Sequence, residues 1–187
     1  MRTSTLSAAL LVALAALTAD AHPRGFHKKV VFTAYRTRIE GLLSMDVDGS
    51  ERTRGLRAAA DVDGDGKLSP AELKELRDRV VKLAIGSLKL EISGARIPIE
   101  VKDAKLNVHA DFSTGDAGLS VAVLMVMKHP YEVKPGMTLV VEDRAPDLSD
   151  VPVEVYLAGA GDAGVLVEKS ELKLGDKLSV RLGVLAD

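Results

Sequence analysis

Between positions 31 and 47 apolar and polar residues alternate. The odd positions read Val, Thr, Tyr, Thr, Ile, Gly, Leu, Met, Val, and the even positions from Arg36 onward are mostly polar: Arg36, Arg38, Glu40, Ser44 and Asp46. A period of two marks a strand with one buried face. The spacing therefore predicts one long or bent strand over 31–47, with the bend at Gly41. Asp48-Gly49-Ser50 then turns the chain. Ser50 stands where it caps a short helix over 51–60, which Gly55 weakens. A better-marked helix follows. Ser69 at the N-cap, Pro70 at the first helical position and Glu72 two residues on form a capping box. Leu73, Leu76, Val80 and Leu83 recur at helical spacing, with Lys74, Glu75, Arg77 and Asp78 off that face. Gly86 supplies a stop.

After Ser87 the period returns to two. Strands are expected over 88–92, 97–101, 106–112, 119–127, 137–141, 153–157, 165–167 and 178–185. Gly, Pro and Asp separate them at Ser93-Gly94, Thr114-Gly115-Asp116, Lys134-Pro135-Gly136 and 159–164. Many short strands at regular spacing indicate an antiparallel sandwich or barrel. No internal repeat or low-complexity linker is visible. The expectation is an α+β fold: a mostly antiparallel β-sandwich, one domain over 22–187, with a helix–loop–helix at 50–86 inserted near its N-terminus.

The N-terminus reads as an export signal. Arg2 is a short positive region, 6–18 is apolar, and Ala19-Asp20-Ala21 fits small-x-small cleavage before His22. The apolar run is shorter than the ~20 residues a spanning helix needs, and no later run reaches that length. The expectation is a cleaved signal peptide over 1–21 and an exported product, periplasmic or extracellular. The polar stretch 22–29 is expected to be loose.

Composition narrows the chemistry. The 187 residues are 47% hydrophobic and 28% charged, which is ordinary for a globular domain. A net charge of −2 gives no basic footprint for nucleic acid. The absence of cysteine excludes disulfide scaffolds, thiolate zinc sites and cysteine nucleophiles. Only 3% of residues are aromatic, against a sugar-stacking cleft. Ser113, Ser120 and Ser149 lack a nucleophile-elbow context. Asp143, Asp147 and Asp150 read as a solvated acidic loop. Nothing assembles an enzyme active site.

One motif is strong. Asp61-Val62-Asp63-Gly64-Asp65-Gly66-Lys67-Leu68-Ser69-Pro70-Ala71-Glu72 matches the calcium loop of an EF-hand at every specified position. Ca²⁺ is a hard cation that takes six to eight oxygens. Asp61, Asp63 and Asp65, at loop positions 1, 3 and 5, supply carboxylates. Gly66 at position 6 permits the sharp turn, and Lys67 at position 7 offers its backbone carbonyl. Ser69 at position 9 ligates directly or through water. Glu72 at position 12 gives both oxygens from the first turn of the second helix. Leu68 at position 8 suits a short inward contact. The upstream helix carries Leu56 as its one large apolar residue, and no second loop follows the pattern. Extracellular sites of this kind bind with a Kd of about 10⁻⁴–10⁻³ M. In steady calcium such a site acts as a structural staple for an interaction surface and an unidentified protein partner. The exposed methionine-rich groove of sensor hands has no counterpart in the sequence.

A rival comes from the mature N-terminus. Cleavage after Ala21 frees the α-amino group of His22, and amine plus imidazole form a chelate suited to Cu²⁺ or Ni²⁺. His27, His109 and His129 are candidates to complete it.

The order within 33–94 is a strand, Gly41, Met45-Asp46-Val47, a short helix with Leu56, Ala60 to Gly66, and Leu88-Lys89-Leu90 before Gly94. Following an export signal that ends in Ala21-His22-Pro23, this resembles the N-terminal exported region of bacterial HupE/UreJ-type membrane proteins. That family is associated with nickel or hydrogenase-linked transport, and it continues into membrane segments of a kind not seen in this sequence. The resemblance implies a shared calcium-bearing exported domain.

Overall fold

The computed structural model describes residues 26–47, 49, 51–108, 118–143, 154–159, 165–169 and 178–184. Signal residues 1–21, His22, Ser50, His109, Ser113, Asp147, Ser149 and Asp150 lie outside the described residues. The elements run β1 (Phe26–Ala34), β2 (Arg38–Val47), α1 (Glu51–Ala58), α2 (Pro70–Gly86), β3 (Leu88–Ile92), β4 (Ala95–Ile97), β5 (Glu100–Val108), β6 (Leu119–Lys128), β7 (Thr138–Asp143), β8 (Glu154–Gly159), β9 (Val165–Lys169) and β10 (Leu178–Val184). Two five-stranded sheets result, ordered β5-β6-β2-β1-β8 and β4-β3-β7-β10-β9. Among the described residues every pairing is antiparallel except β1 with β8. The chain is thus mostly β, antiparallel-rich and sparing in helix, in line with the expected β-rich α+β class.

The expected single strand over 31–47 is instead a hairpin. Lys28, Val30, Phe32 and Ala34 are buried on β1, but Ile39, Leu43, Met45 and Val47 are buried on β2. The inward parity switches from even to odd where the chain reverses into the antiparallel pair. It does so at 35–37, where the Tyr35 N–H donates to the Arg38 carbonyl at 2.8 Å. The strand also starts earlier than expected, because Phe26 to Lys29 belong to β1 and are not loose.

Gly41 is not a bend. It sits mid-strand between Phe32 on β1 and Met125 on β6. A Cβ there would lie 3.0 Å from the Phe32 ring and 3.0 Å from the Met125 methyl. Glycine is required by close approach.

In place of the strands expected over 97–101 and 106–112 stand short β4 and one continuous β5 as far as Val108, while 109–112 lie outside the described residues. Pro98, which has no N–H to give a ladder, falls between them. The strand expected over 88–92 is β3 with the same ends, and the others correspond to β6 through β10 with shifted ends.

Helix α2 begins as read. Ser69 is its N-cap, Pro70 opens it, and the capping box is closed in both directions. Its buried line is Glu72, Leu76, Val80 and Ala84. Leu73 and Leu83, expected on that face, are each 36% exposed. A strict four-residue step selects a narrow stripe on a helix that neighbours β5 and β6. The outer face carries Lys74–Asp78 and Arg79–Glu75 pairs at 2.8 and 2.9 Å. At such exposure each pair contributes little.

A hydrophobic cluster gathers Val30, Phe32 and Leu43 from the first sheet, Leu90, Leu139 and Leu182 from the second, and Leu76 and Val80 from α2. Each fully buried aliphatic or phenyl side chain contributes roughly 1.5–3 kcal/mol. Leu56 and Leu68 pack against the cluster from α1 and the α1–α2 loop. They fasten that loop to the core at both ends.

Candidate metal centre

The acidic loop is built on side chain to backbone bonds. Helix α1 closes with the Ala60 and Asp61 N–H groups donating to the Arg57 carbonyl at 2.8 and 2.9 Å. Ala60 is fully buried, which anchors the entry to the loop. Asp61 then receives two donors, the Gly64 N–H on Oδ1 at 2.8 Å and the Gly66 N–H on Oδ2 at 3.0 Å. The Asp65 N–H donates to Asp63 Oδ1 at 3.2 Å, and the Lys67 N–H to Asp65 Oδ1 at 2.7 Å. Aspartate favours such local turns because its short carboxylate reaches backbone two or more residues on. Gly66 has φ of 76°, the left-handed conformation that suits glycine at the sharpest point.

These turns draw the carboxylates inward. One oxygen each from Asp61, Asp63 and Asp65 lie within 4.8 Å of one another. Among the described residues this is the one group of three or more metal-capable side chains. The expected ligands thus fall into two sets. The three aspartates come together. Lys67 keeps its side chain exposed, and Ser69 is exposed at the N-cap.

Glu72 stands outside the group and is held by its own bonds. Its Oε1 accepts from the Val62 N–H at 2.7 Å and its Oε2 from the Ser69 N–H at 2.8 Å. The Glu72 N–H in turn donates to Ser69 Oγ at 3.4 Å. The Ser69 hydroxyl, then the Ser69 and Val62 amides, hold the Glu72 carboxyl down at about 2. The capping box makes the Ser69 bond legible in sequence. The Val62 bond, which ties the second loop position to the twelfth, carries no such signal.

No known protein family matches the chain, and no curated protein matches it. The chemistry therefore rests on the residues themselves.

Among the described residues the histidines give no comparable centre. His27 lies at the start of β1, opposite Asp46 near the end of β2. His129 follows Lys128, which pairs with Arg38 at the start of β2. The two sit at opposite ends of the first sheet. His129 is buried, and its Nδ1 faces the Tyr131 carbonyl, so that nitrogen carries the proton. None of the described helices is long and apolar enough to cross a membrane.

Proposed function

We propose that this is an exported calcium-binding protein: a β-sandwich carrying a single EF-hand, in which Ca²⁺ serves as a structural staple for an interaction surface, without enzymatic activity of its own. The observation that carries it is the convergence of the Asp61, Asp63 and Asp65 carboxylates on a loop whose backbone is already turned. Three like charges this close repel, and a hard cation relieves that repulsion. Asp61, Asp63 and Asp65 would hold it through side chains, Lys67 through its carbonyl, and Ser69 directly or through water. Glu72 would join from α2. Each carboxylate oxygen has about two acceptor sites, so bonds to Val62 and Ser69 leave Glu72 capacity to ligate. The bound ion supplies charge neutralisation, with no redox or acid–base role.

A staple is favoured over a switch by the methionines. Met45, Met125 and Met127 are each 2% exposed or less, sealed in the core rather than offered to a partner. Export, and kinship with the exported region of HupE/UreJ-type proteins, belong to the same proposal. Their support is the leader pattern before His22 and the order of elements through the acidic loop.

A ¹H–¹⁵N titration of the chelator-stripped protein with Ca²⁺ tests this. The Gly64 and Gly66 amides, bonded to Asp61, are expected to shift and saturate with a Kd of about 10⁻⁴–10⁻³ M, and Asp61→Ala is expected to remove the response. Amides that stay in place up to 10 mM Ca²⁺, roughly ten times the weakest such affinity, would refute the proposal.

A further inference from the structure

Lys28 stands where β1 calls for an apolar side chain. It shares the inward parity of Val30, Phe32 and Ala34 and is 6% exposed. Its ammonium meets two groups from distant parts of the chain. One is the carboxylate of Asp143, the last residue of β7, whose side chain is nearly as buried. The other is Ser87 Oγ at 3.2 Å, directly after the last turn of α2. β1 belongs to the first sheet and β7 to the second. Asp143 lies opposite Leu88, the residue after Ser87. Both sheets and the end of α2 therefore meet at one buried cation.

The opposite end of α2 is anchored too. Glu72 binds the loop through Val62 and Ser69, and the buried line Glu72, Leu76, Val80, Ala84 runs toward Ser87. The helix is a rigid rod with a polar anchor at each end and an apolar seam between. Burial pushes the Lys28 ammonium below the ordinary lysine range, and Asp143 pulls it partly back. A desolvated ammonium stays in a core only where partners of this kind meet it.

We propose that Lys28, Asp143 and Ser87 form a latch that makes the helix–loop segment and the two sheets one cooperative unit, so that order in the acidic loop is transmitted to the sheet junction. The latch stands on the contacts of Lys28 and needs no cation. Its transmission arm rests on the calcium proposal above.

Hydrogen exchange on the whole protein tests both. The natural chain is compared in chelator with Ser87→Ala and with the double variant Lys28→Met/Asp143→Leu. The double variant removes both charges together, so neither is stranded in the core. Amides of α2 and of β3 are expected to exchange roughly fivefold faster in the double variant, the weight of the Ser87 hydrogen bond that goes unreplaced, while the apolar pair itself leaves the sheet packing near parity. Those of β2 and β6 are expected to hold. Ser87→Ala, which keeps the ion pair, is expected to loosen α2 while β7 stays protected. Unchanged exchange in α2, or the same acceleration in every element, would overturn the latch.

In millimolar Ca²⁺, slower exchange is expected in the loop and at Leu88 and Asp143 of the natural chain, but in the loop alone of the double variant. Protection confined to the loop of the natural chain would overturn the transmission. No slowing anywhere would overturn transmission and the calcium proposal together, with the chelator comparison still deciding the latch.

Discussion

Gly41→Ala isolates a single methyl group. In the structure the new Cβ meets Phe32 Cδ1, Phe32 Cε1 and Met125 Cε, each at 3.0 Å. Comfortable carbon contacts lie near 3.5–4.0 Å, so the overlap is about half an ångström or more on three atoms. Met125 Cε ends a flexible chain and can swing away. The Phe32 ring is fully buried and pairs directly across from Gly41, so it has nowhere to go. Overpacking of this kind costs about 1–3 kcal/mol. Replacing a strand glycine returns about 0.5–1 kcal/mol through chain entropy. The net expectation, from the middle of the two ranges, is a loss of roughly 1 kcal/mol, or about 2–4 °C in Tm for a chain of this size. Thermal unfolding followed by circular dichroism reads it. The ring is the cause, so Phe32→Leu in the Gly41→Ala background should cost less than it does alone, and a double-mutant cycle should show coupling of about 1 kcal/mol. A Gly41→Ala protein as stable as its parent, or two substitutions that simply add, would refute the close-approach explanation and reopen a bend at this position.

Two further outcomes follow from the helix. The Glu72 carboxyl is held at about 2 against an ordinary 4.5, so the folded state resists protonation more than the unfolded chain does. Its stabilisation is intact above pH 4.5 and lost as pH falls toward 2. In chelator, Glu72→Gln should flatten that part of the Tm–pH curve, and an unchanged acid limb would count against the bonds to Ser69 and Val62. On the same helix, Leu76→Ala should cost about 2–5 kcal/mol by emptying a sealed site. Leu73→Ala, at the half-exposed rim, should fall within about 0.5 kcal/mol of the parent. Equal losses in urea unfolding would show that α2 packs on a broader face than the structure gives it.

What the sequence displays plainly is what short-range chemistry decides. The start of α2 is written in Ser69, Pro70 and Glu72, because each acts on backbone within one turn. The aspartate spacing is legible for the same reason: each carboxylate bonds an amide two to five residues ahead. Strand β3 declares itself by unbroken alternation and β6 by a short continuous apolar run, each between clear turns. The β1–β2 reversal does not, because Tyr35-Arg36-Thr37 lacks the Gly, Pro, Asn or Asp that usually mark a turn. Its one trace is the change of parity, and the pairs Lys28-Lys29 and Val30-Val31 blur that. The extra leucines Leu73 and Leu83 widen the apparent face of α2, while tertiary packing uses only the four-residue line. Lys28 is the extreme case. In sequence it belongs to a polar N-terminal stretch, and its burial follows from Asp143 and Ser87, contacts that exist only once both sheets are formed.

We propose that the acidic loop takes calcium and that occupancy stabilises the fold. The most direct test is the Tm of the protein in chelator, then with Ca²⁺, Mg²⁺ and Cu²⁺ added one at a time. At about ten times Kd, Ca²⁺ should add ~1.4 kcal/mol, a rise of about 3–6 °C. That rise should vanish in Asp61→Ala. A Tm indifferent to Ca²⁺, with a shift instead under low-micromolar Cu²⁺, would contradict the claim and move the metal chemistry from the aspartates to a histidine.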